Sequence, residues 1–225
     1  MIFTSCGKLG DLFQSFPIFS AYYKKTGVKV DLALSRFPYT KEIEPLLKMQ
    51  ECIGEVYHID YEPVMMLGNG VVEWGLYKFN PYDYGLETEA VQPFINLGFR
   101  HFPNKNYTEF LAEDHGLDID WDFRLNIGEK SRRYIGKTVV IDKYEGNPLK
   151  RAGIKGEYLP SKNNVIKNLQ YARGASGVKT YQTGAAILLL MSGINCTVYG
   201  QRNLQDLHVL QIYNKTPGKA TWVNL

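Results

Sequence analysis

A chain of 225 residues, 44% of them hydrophobic, is long enough for one large or two small globular domains and apolar enough to bury a core in each, which excludes a disordered or fibrous protein. Its formal net charge of +3 suits a phosphorylated ligand or a polyanionic partner without requiring nucleic acid. Cys6, Cys52 and Cys196 are too few and too widely spaced for a metal-ligand cluster or a disulfide framework, and the longest apolar run, 185–191, is far too short for a membrane span; with no leader-like amino terminus, the expectation is a cytoplasmic protein.

In chain order, Ile2 and Phe3 open a short buried strand that runs into Thr4-Ser5-Cys6-Gly7-Lys8-Leu9-Gly10-Asp11. Gly7 and Gly10 permit a tight turn with close backbone approach, and 12–25 has helical spacing. Leu12, Phe13, Phe16, Phe19, Tyr22 and Tyr23 fall on one broad core face, and Pro17 kinks the helix or marks where its regular part begins. Gly27 ends that helix and 28–34 (VKVDLAL) reads as a second strand, so the chain opens on a βαβ unit and a parallel sheet. Thr40 can cap a helix through about residue 49, and 54–59 gives a third strand.

From 61 to 84 the pattern weakens. Glycines at 68, 70 and 75 with Trp74, Tyr77, Phe79, Tyr82 and Tyr84 suit an aromatic wall over the sheet edge better than a stacking platform for a sugar or base. Residues 90–97 and 107–115 read as helices, and 116–129 as polar and irregular. After a basic patch at Lys130, Arg132 and Arg133, the second half restarts with the strand 137–142 (KTVVID). A helix at 164–173, a strand at 178–181, a helix at 183–192 opening on Gly184 and a strand at 197–199 ending at Gly200 follow. The expected organisation is a first domain over 1–116, a linker over 117–136 and a second domain over 137–225.

Each half therefore has a polar glycine turn between a strand end and a helix start, where open parallel sheets bind ligands. At the first, Asp11 suits a general base or an acceptor for a hydroxyl; a carboxylate that merely offsets the helix dipole is the plainer reading, and the spacing matches neither a dinucleotide fingerprint nor a P-loop. At the second, Tyr181-Gln182-Thr183-Gly184-Ala185-Ala186 suits an anion site or an ordinary connection with Thr183 as N-cap.

Taken together, Ile2-Phe3-Thr4-Ser5-Cys6-Gly7-Lys8-Leu9-Gly10-Asp11 with Pro17 and a strand at Val28, then Gln182-Thr183-Gly184 and Thr197-Val198-Tyr199-Gly200, resemble the lipopolysaccharide heptosyltransferase family. Its members share an amino-terminal Gly-Asp turn with a proline six residues on, an Asp-Thr-Gly at a later helix start and a strand ending in Tyr-Gly or Phe-Gly. The resemblance implies an α/β protein with two Rossmann-like domains of the GT-B type, each with a parallel sheet and the second reduced. The first would bind mainly the acceptor and the second mainly the nucleotide-sugar donor.

It also implies that Asp11 deprotonates the acceptor hydroxyl, that transfer inverts the anomeric configuration, and that Gln182, Thr183, Gly184 and Ala185, helped by Lys143, hold the donor phosphates. Gly7, Lys8 and Gly10 would form the acceptor-side turn. No metal or cofactor is expected, the nucleotide sugar being a substrate.

The sequence departs from the family in three ways: Gln182 stands for the Asp, Ile187 stands for a histidine, and between 142 and 164 there is no room for a full strand-helix unit. A saccharide is the expected acceptor. A hydroxymethylated base in DNA, or non-catalytic binding of a sugar or nucleotide, are the alternatives.

Overall fold

The computed structural model describes all residues except 6–8, 36–39, 61–64, 69–70, 75–79, 98, 102–105, 143–145, 161–163 and 202–214. It divides between Phe123 and Arg124 into two compact units. Residues 117–123 thus pack with the first unit and 124–136 with the second.

The first unit opens with β1 (Ile2–Ser5), buried along its whole length as expected of the centre of a sheet covered on both faces. Where one helix over 12–25 is expected there are two, α1 (Leu9–Gln14) and α2 (Phe16–Thr26), broken at Ser15. Pro17 lies in the first turn of α2, the place in a helix where a missing N–H is harmless. Gly27 ends α2 in the left-handed region at φ 69°, its N–H donating to the Tyr23 carbonyl at 2.8 Å. There follow β2 (Val30–Ser35), α3 (Thr40–Lys48), β3 (Ile53–Ile59), β4 (Met65–Gly68), β5 (Val71–Trp74), a 3-10 turn at Pro81–Tyr84, β6 (Phe94–Asn96), β7 (Phe99–His101) and α4 (Tyr107–His115).

The sheet order is β3-β2-β1-β6, all parallel, with Ile2 opposite both Asp31 and Phe94. A separate antiparallel sheet, β4-β5-β7, takes β4 and β5 from the stretch where the sequence pattern fades.

The aromatic stripe is core. Phe3, Phe13, Phe16 and Phe19 are fully buried, and ring centroids 5.3 Å apart link Phe3 to Phe19, Phe16 to Phe19 and Phe13 to Phe16. A second cluster of Ile2, Ala33, Ile59 and Leu86 is covered by Tyr57, Tyr82 and Tyr84, so those last two tyrosines form a packed wall. Tyr77, Phe79 and the Trp74 side chain lie outside the described residues.

The expected helix over 90–97 is not one. Phe94–Asn96 is a strand beside β1, flanked by bonds from the Ile2 N–H to the Pro93 carbonyl at 3.1 Å and from the Leu97 N–H to the Thr4 carbonyl at 3.3 Å. Pro93 disfavours a helix through this stretch, and the open edge of β1 supplies the partner groups a short strand needs.

The second unit contains β8 (Thr138–Ile141), α5 (Pro148–Arg151), β9 (Glu157–Tyr158), α6 (Val165–Gly174), β10 (Gly177–Tyr181), α7 (Gly184–Met191), β11 (Cys196–Gly200) and β12 (Ala220–Asn224). Its sheet, β12-β11-β10-β8-β9, is all parallel. The strand-helix unit for which the sequence leaves little room survives as a one-turn helix and a two-residue strand. The buried Asp142 carboxylate holds that turn by accepting the Leu149 and Lys150 N–H groups at 3.1 and 3.0 Å. Val140, Leu149 and Tyr199 form a core here, and α7 is apolar all round because residues 186–191 are buried.

Candidate active site

In the first unit the mouth of the sheet lies where β1 gives way to α1. Asp11 is the third residue of α1, half-buried in its first turn, and Gly10 precedes it; Gly7 and Lys8 lie outside the described residues. Ser15, at the break between helices, donates its hydroxyl to the Asp11 carbonyl at 3.1 Å, which fixes the turn carrying the carboxylate.

The surroundings are polar and buried. Thr4 and Ser5 end β1, and Asn96 ends β6 with its Oδ1 accepting from the Thr4 hydroxyl at 2.8 Å. Gln14, one helical turn after Asp11 and only 3% exposed, donates Nε2 to the Gly10 carbonyl at 3.3 Å. Its backbone carbonyl accepts the Thr108 hydroxyl at 2.8 Å, pinning α1 to the start of α4.

Gln14 Oε1 is buried and has no hydrogen-bond partner among the described residues. Gln14 and Asn96 were not singled out from the sequence. The i, i+3 spacing from Asp11 was the available signal for Gln14, whereas a helical reading of 90–97 hides Asn96.

In the second unit the corresponding mouth lies between β10 and α7. Gln182, Thr183, Gly184 and Ala185 are all half-buried there, at the carboxyl end of a strand. Thr183 stands at the N-cap position in extended conformation, yet its side chain makes no cap bond; the hydroxyl donates instead to the Tyr181 carbonyl at 3.3 Å. The simple capping role is thereby excluded, and the first N–H groups of α7 are left without a side-chain acceptor from Thr183.

Gln182 is built into the fold. Its N–H donates to the Tyr199 carbonyl at 2.9 Å, and its Oε1 accepts the Gln201 N–H at 3.1 Å, joining the ends of β10 and β11. The amide lies across Gly200, where a Cβ would collide with Gln182 Oε1 and come within 2.6 Å of Trp222. Ile187 is a core residue of α7, 3% exposed. Lys143 lies outside the described residues. Among the described residues no group of three or more His, Cys, Asp or Glu is placed to hold a metal ion, and no helix is long and apolar enough to cross a membrane.

A glycosyltransferase family 9 protein from Veillonella parvula superposes on the whole of this chain and on 85% of its own length, with a TM-score of 0.62 at 9% identity. The fold is that of a family 9 glycosyltransferase. The dodecameric, iron-containing glycosyltransferase TibC of enterotoxigenic E. coli superposes on 91% of this chain with a TM-score of 0.51 at 15% identity. TibC in complex with ADP-D-beta-D-heptose gives a TM-score of 0.53 over the same share, also at 15% identity. The chain spans 59% and 58% of the two TibC chains. No protein-family model matches the chain, and no curated protein sequence does. At such identities the likeness is one of topology, carried by the two parallel sheets.

Proposed function

We propose that this protein is an inverting glycosyltransferase of heptosyltransferase-like type that moves a hexosyl or heptosyl group from a nucleotide-sugar donor to a hydroxyl of a saccharide acceptor. One observation carries the reading: in a chain that follows a family 9 glycosyltransferase from end to end, a carboxylate, Asp11, stands in the helical turn just beyond the carboxyl end of the central strand. The binding of ADP-heptose by TibC supports a nucleotide-sugar donor.

In this reading Asp11 takes the proton of the acceptor hydroxyl as its oxygen bonds to the anomeric carbon. The bond from that carbon to the phosphate oxygen breaks on the opposite face, and its electron pair leaves with the nucleoside diphosphate. A sugar hydroxyl is a poor nucleophile, and a positioned base is typically worth about 10²–10⁴-fold. The charge growing on the diphosphate meets the N–H groups of Gly184 and Ala185 at the start of α7, where the helix dipole and the unused Thr183 cap favour an anion. Gln182 keeps the β10–β11 end in place and contributes no charge.

A second reading, non-catalytic binding of a sugar or nucleotide, is favoured by two observations: the position of the family's Asp holds an amide tied into the backbone, and that of its histidine holds a buried isoleucine. Calorimetry with a panel of nucleotide sugars, followed by assay of nucleoside diphosphate release with saccharides and with a duplex carrying a hydroxymethylated base, separates the readings. Saccharide-dependent release is expected. Donor binding without release for any acceptor would leave the binding-protein reading, and release only with the duplex would replace the saccharide.

A further inference from the structure

Outside both mouths, residues 130–137 put Lys130, Arg132, Arg133 and Lys137 within eight positions, all exposed, with Ile135 among them 60% exposed. A single exposed aliphatic is ordinary, and so is a run of charge. This segment differs in being tied to α6 and in that three of its four cations have no carboxylate partner among the described residues.

The Ser131 N–H donates to the Gln170 carbonyl at 3.1 Å, and the Ser131 carbonyl presses against Gly174, where a Cβ would collide with it. Tyr134 meets Tyr171 edge to face at 5.1 Å, and the Arg133 guanidinium lies 5.6 Å from both ring centres. Arg173 and Gln170 of α6 donate to the carbonyls of Gly128 and Ile127, both at 2.9 Å, holding the approach to the turn. Two successive turns then close through the N–H groups of Ile135 and Lys137, and Gly136, at φ 78°, faces open space.

Among the described residues no carboxylate pairs with Lys130, Arg132 or Arg133. Lys137 pairs with Glu157 at 3.2 Å, but both are exposed and such a pair is weak. The segment leads into the amino end of β8, so it lies at the end of this parallel sheet opposite the start of α7.

We infer that this turn docks the protein on an anionic lipid bilayer, with Ile135 entering the acyl boundary, Tyr134 at headgroup depth and the surrounding cations on lipid phosphates. Cations alone would serve nucleic acid equally well. The exposed aliphatic among these cations in the chain favours the bilayer, because it gains only where an apolar phase lies beneath the charged layer. Each cation near an anionic membrane surface is worth about fivefold in affinity, so the three without a carboxylate partner among the described residues supply about 10² and the docking is reversible. The inference does not depend on sugar transfer.

The test is co-sedimentation of the full chain with vesicles of about two parts phosphatidylcholine to one part phosphatidylserine, against pure phosphatidylcholine. Binding to the mixed vesicles alone is expected. The K130Q/R132Q variant, whose two positions have no side-chain partner among the described residues, should bind roughly twenty-five-fold more weakly. Ile135→Ser should bind about tenfold more weakly, with an unchanged melting temperature in both variants. Absence of binding to the mixed vesicles overturns the inference, as does binding that both variants retain. A short DNA duplex is titrated in parallel: tight, salt-sensitive binding that Ile135→Ser leaves intact would assign the turn to nucleic acid instead.

Discussion

Asp11 is placed where a carboxylate has two physical uses, and a substitution that keeps its shape tells them apart. Asp11→Asn removes the base and retains the size of the side chain, so the rate of acceptor-dependent nucleoside diphosphate release should fall by about 10²–10⁴ while the donor dissociation constant from calorimetry changes less than about twofold. Full turnover in this variant would leave Asp11 as a partner of the helix dipole. Asp120 illustrates a different use of a carboxylate. Burial, with 9% of the side chain exposed, works to raise its pKa, but hydrogen bonds from Lys24 at 2.7 Å and Ser20 at 2.6 Å prevail and hold it below the usual carboxylate value. A depressed folded-state pKa stabilises at pH values above the unfolded one, near 3.8, and that stabilisation is lost as pH falls through the folded value. Denaturant midpoints measured from pH 7 down to pH 2 should therefore fall less steeply over this acid range for Asp120→Asn, which starts lower at neutral pH.

At the scale of elements, α7 combines two properties that seldom share a helix. Its body is buried all round, whereas its first two residues, Gly184 and Ala185, are half-buried and the helix receives no cap from the Thr183 side chain. The apolar body fixes the helix axis, and the uncapped turn supplies N–H groups at the carboxyl end of β10. Gly184→Val puts a branched side chain where the backbone would approach a diphosphate. It should weaken nucleotide-sugar binding by about tenfold or more, equivalent to about 1.4 kcal/mol, in a titration of donor. Unchanged affinity would move the donor elsewhere. The same scale explains why Gln182 can stand in the fold without a charge: its amide bridges two strand ends over a glycine.

At the scale of the molecule, each unit carries a buried thiol, Cys52 in the first and Cys196 in the second. Burial pushes both thiols up to about 12 from an ordinary 9.0. At neutral pH their thiolate fraction is thus about a thousandfold below that of an unfolded cysteine. In a Cys6→Ser background, both should resist a disulfide reagent in the native protein and react only as each unit unfolds. Mass spectrometry of labelling against urea would then follow the two units separately. Rapid labelling of either thiol in native buffer would contradict the packing around it.

What the sequence by itself determined is whatever neighbouring residues decide among themselves. The aromatic spacing of α2, its end at Gly27, the span 107–115 of α4 and the apolar run of α7 were legible because a helix satisfies its backbone locally and announces its limits with cap residues. The strand-turn-helix joints that carry Asp11 and Thr183 were legible for the same reason. Only the tertiary structure decided β6, β9, β12 and the antiparallel sheet β4-β5-β7, since strands of two to five residues acquire their identity from hydrogen bonds to a distant edge. It also decided that Gln14 and Asn96 border the Asp11 mouth, and that Gln182 locks over Gly200. Each of those arrangements joins residues whose proximity follows from the packing of several elements, which a local sequence pattern does not encode.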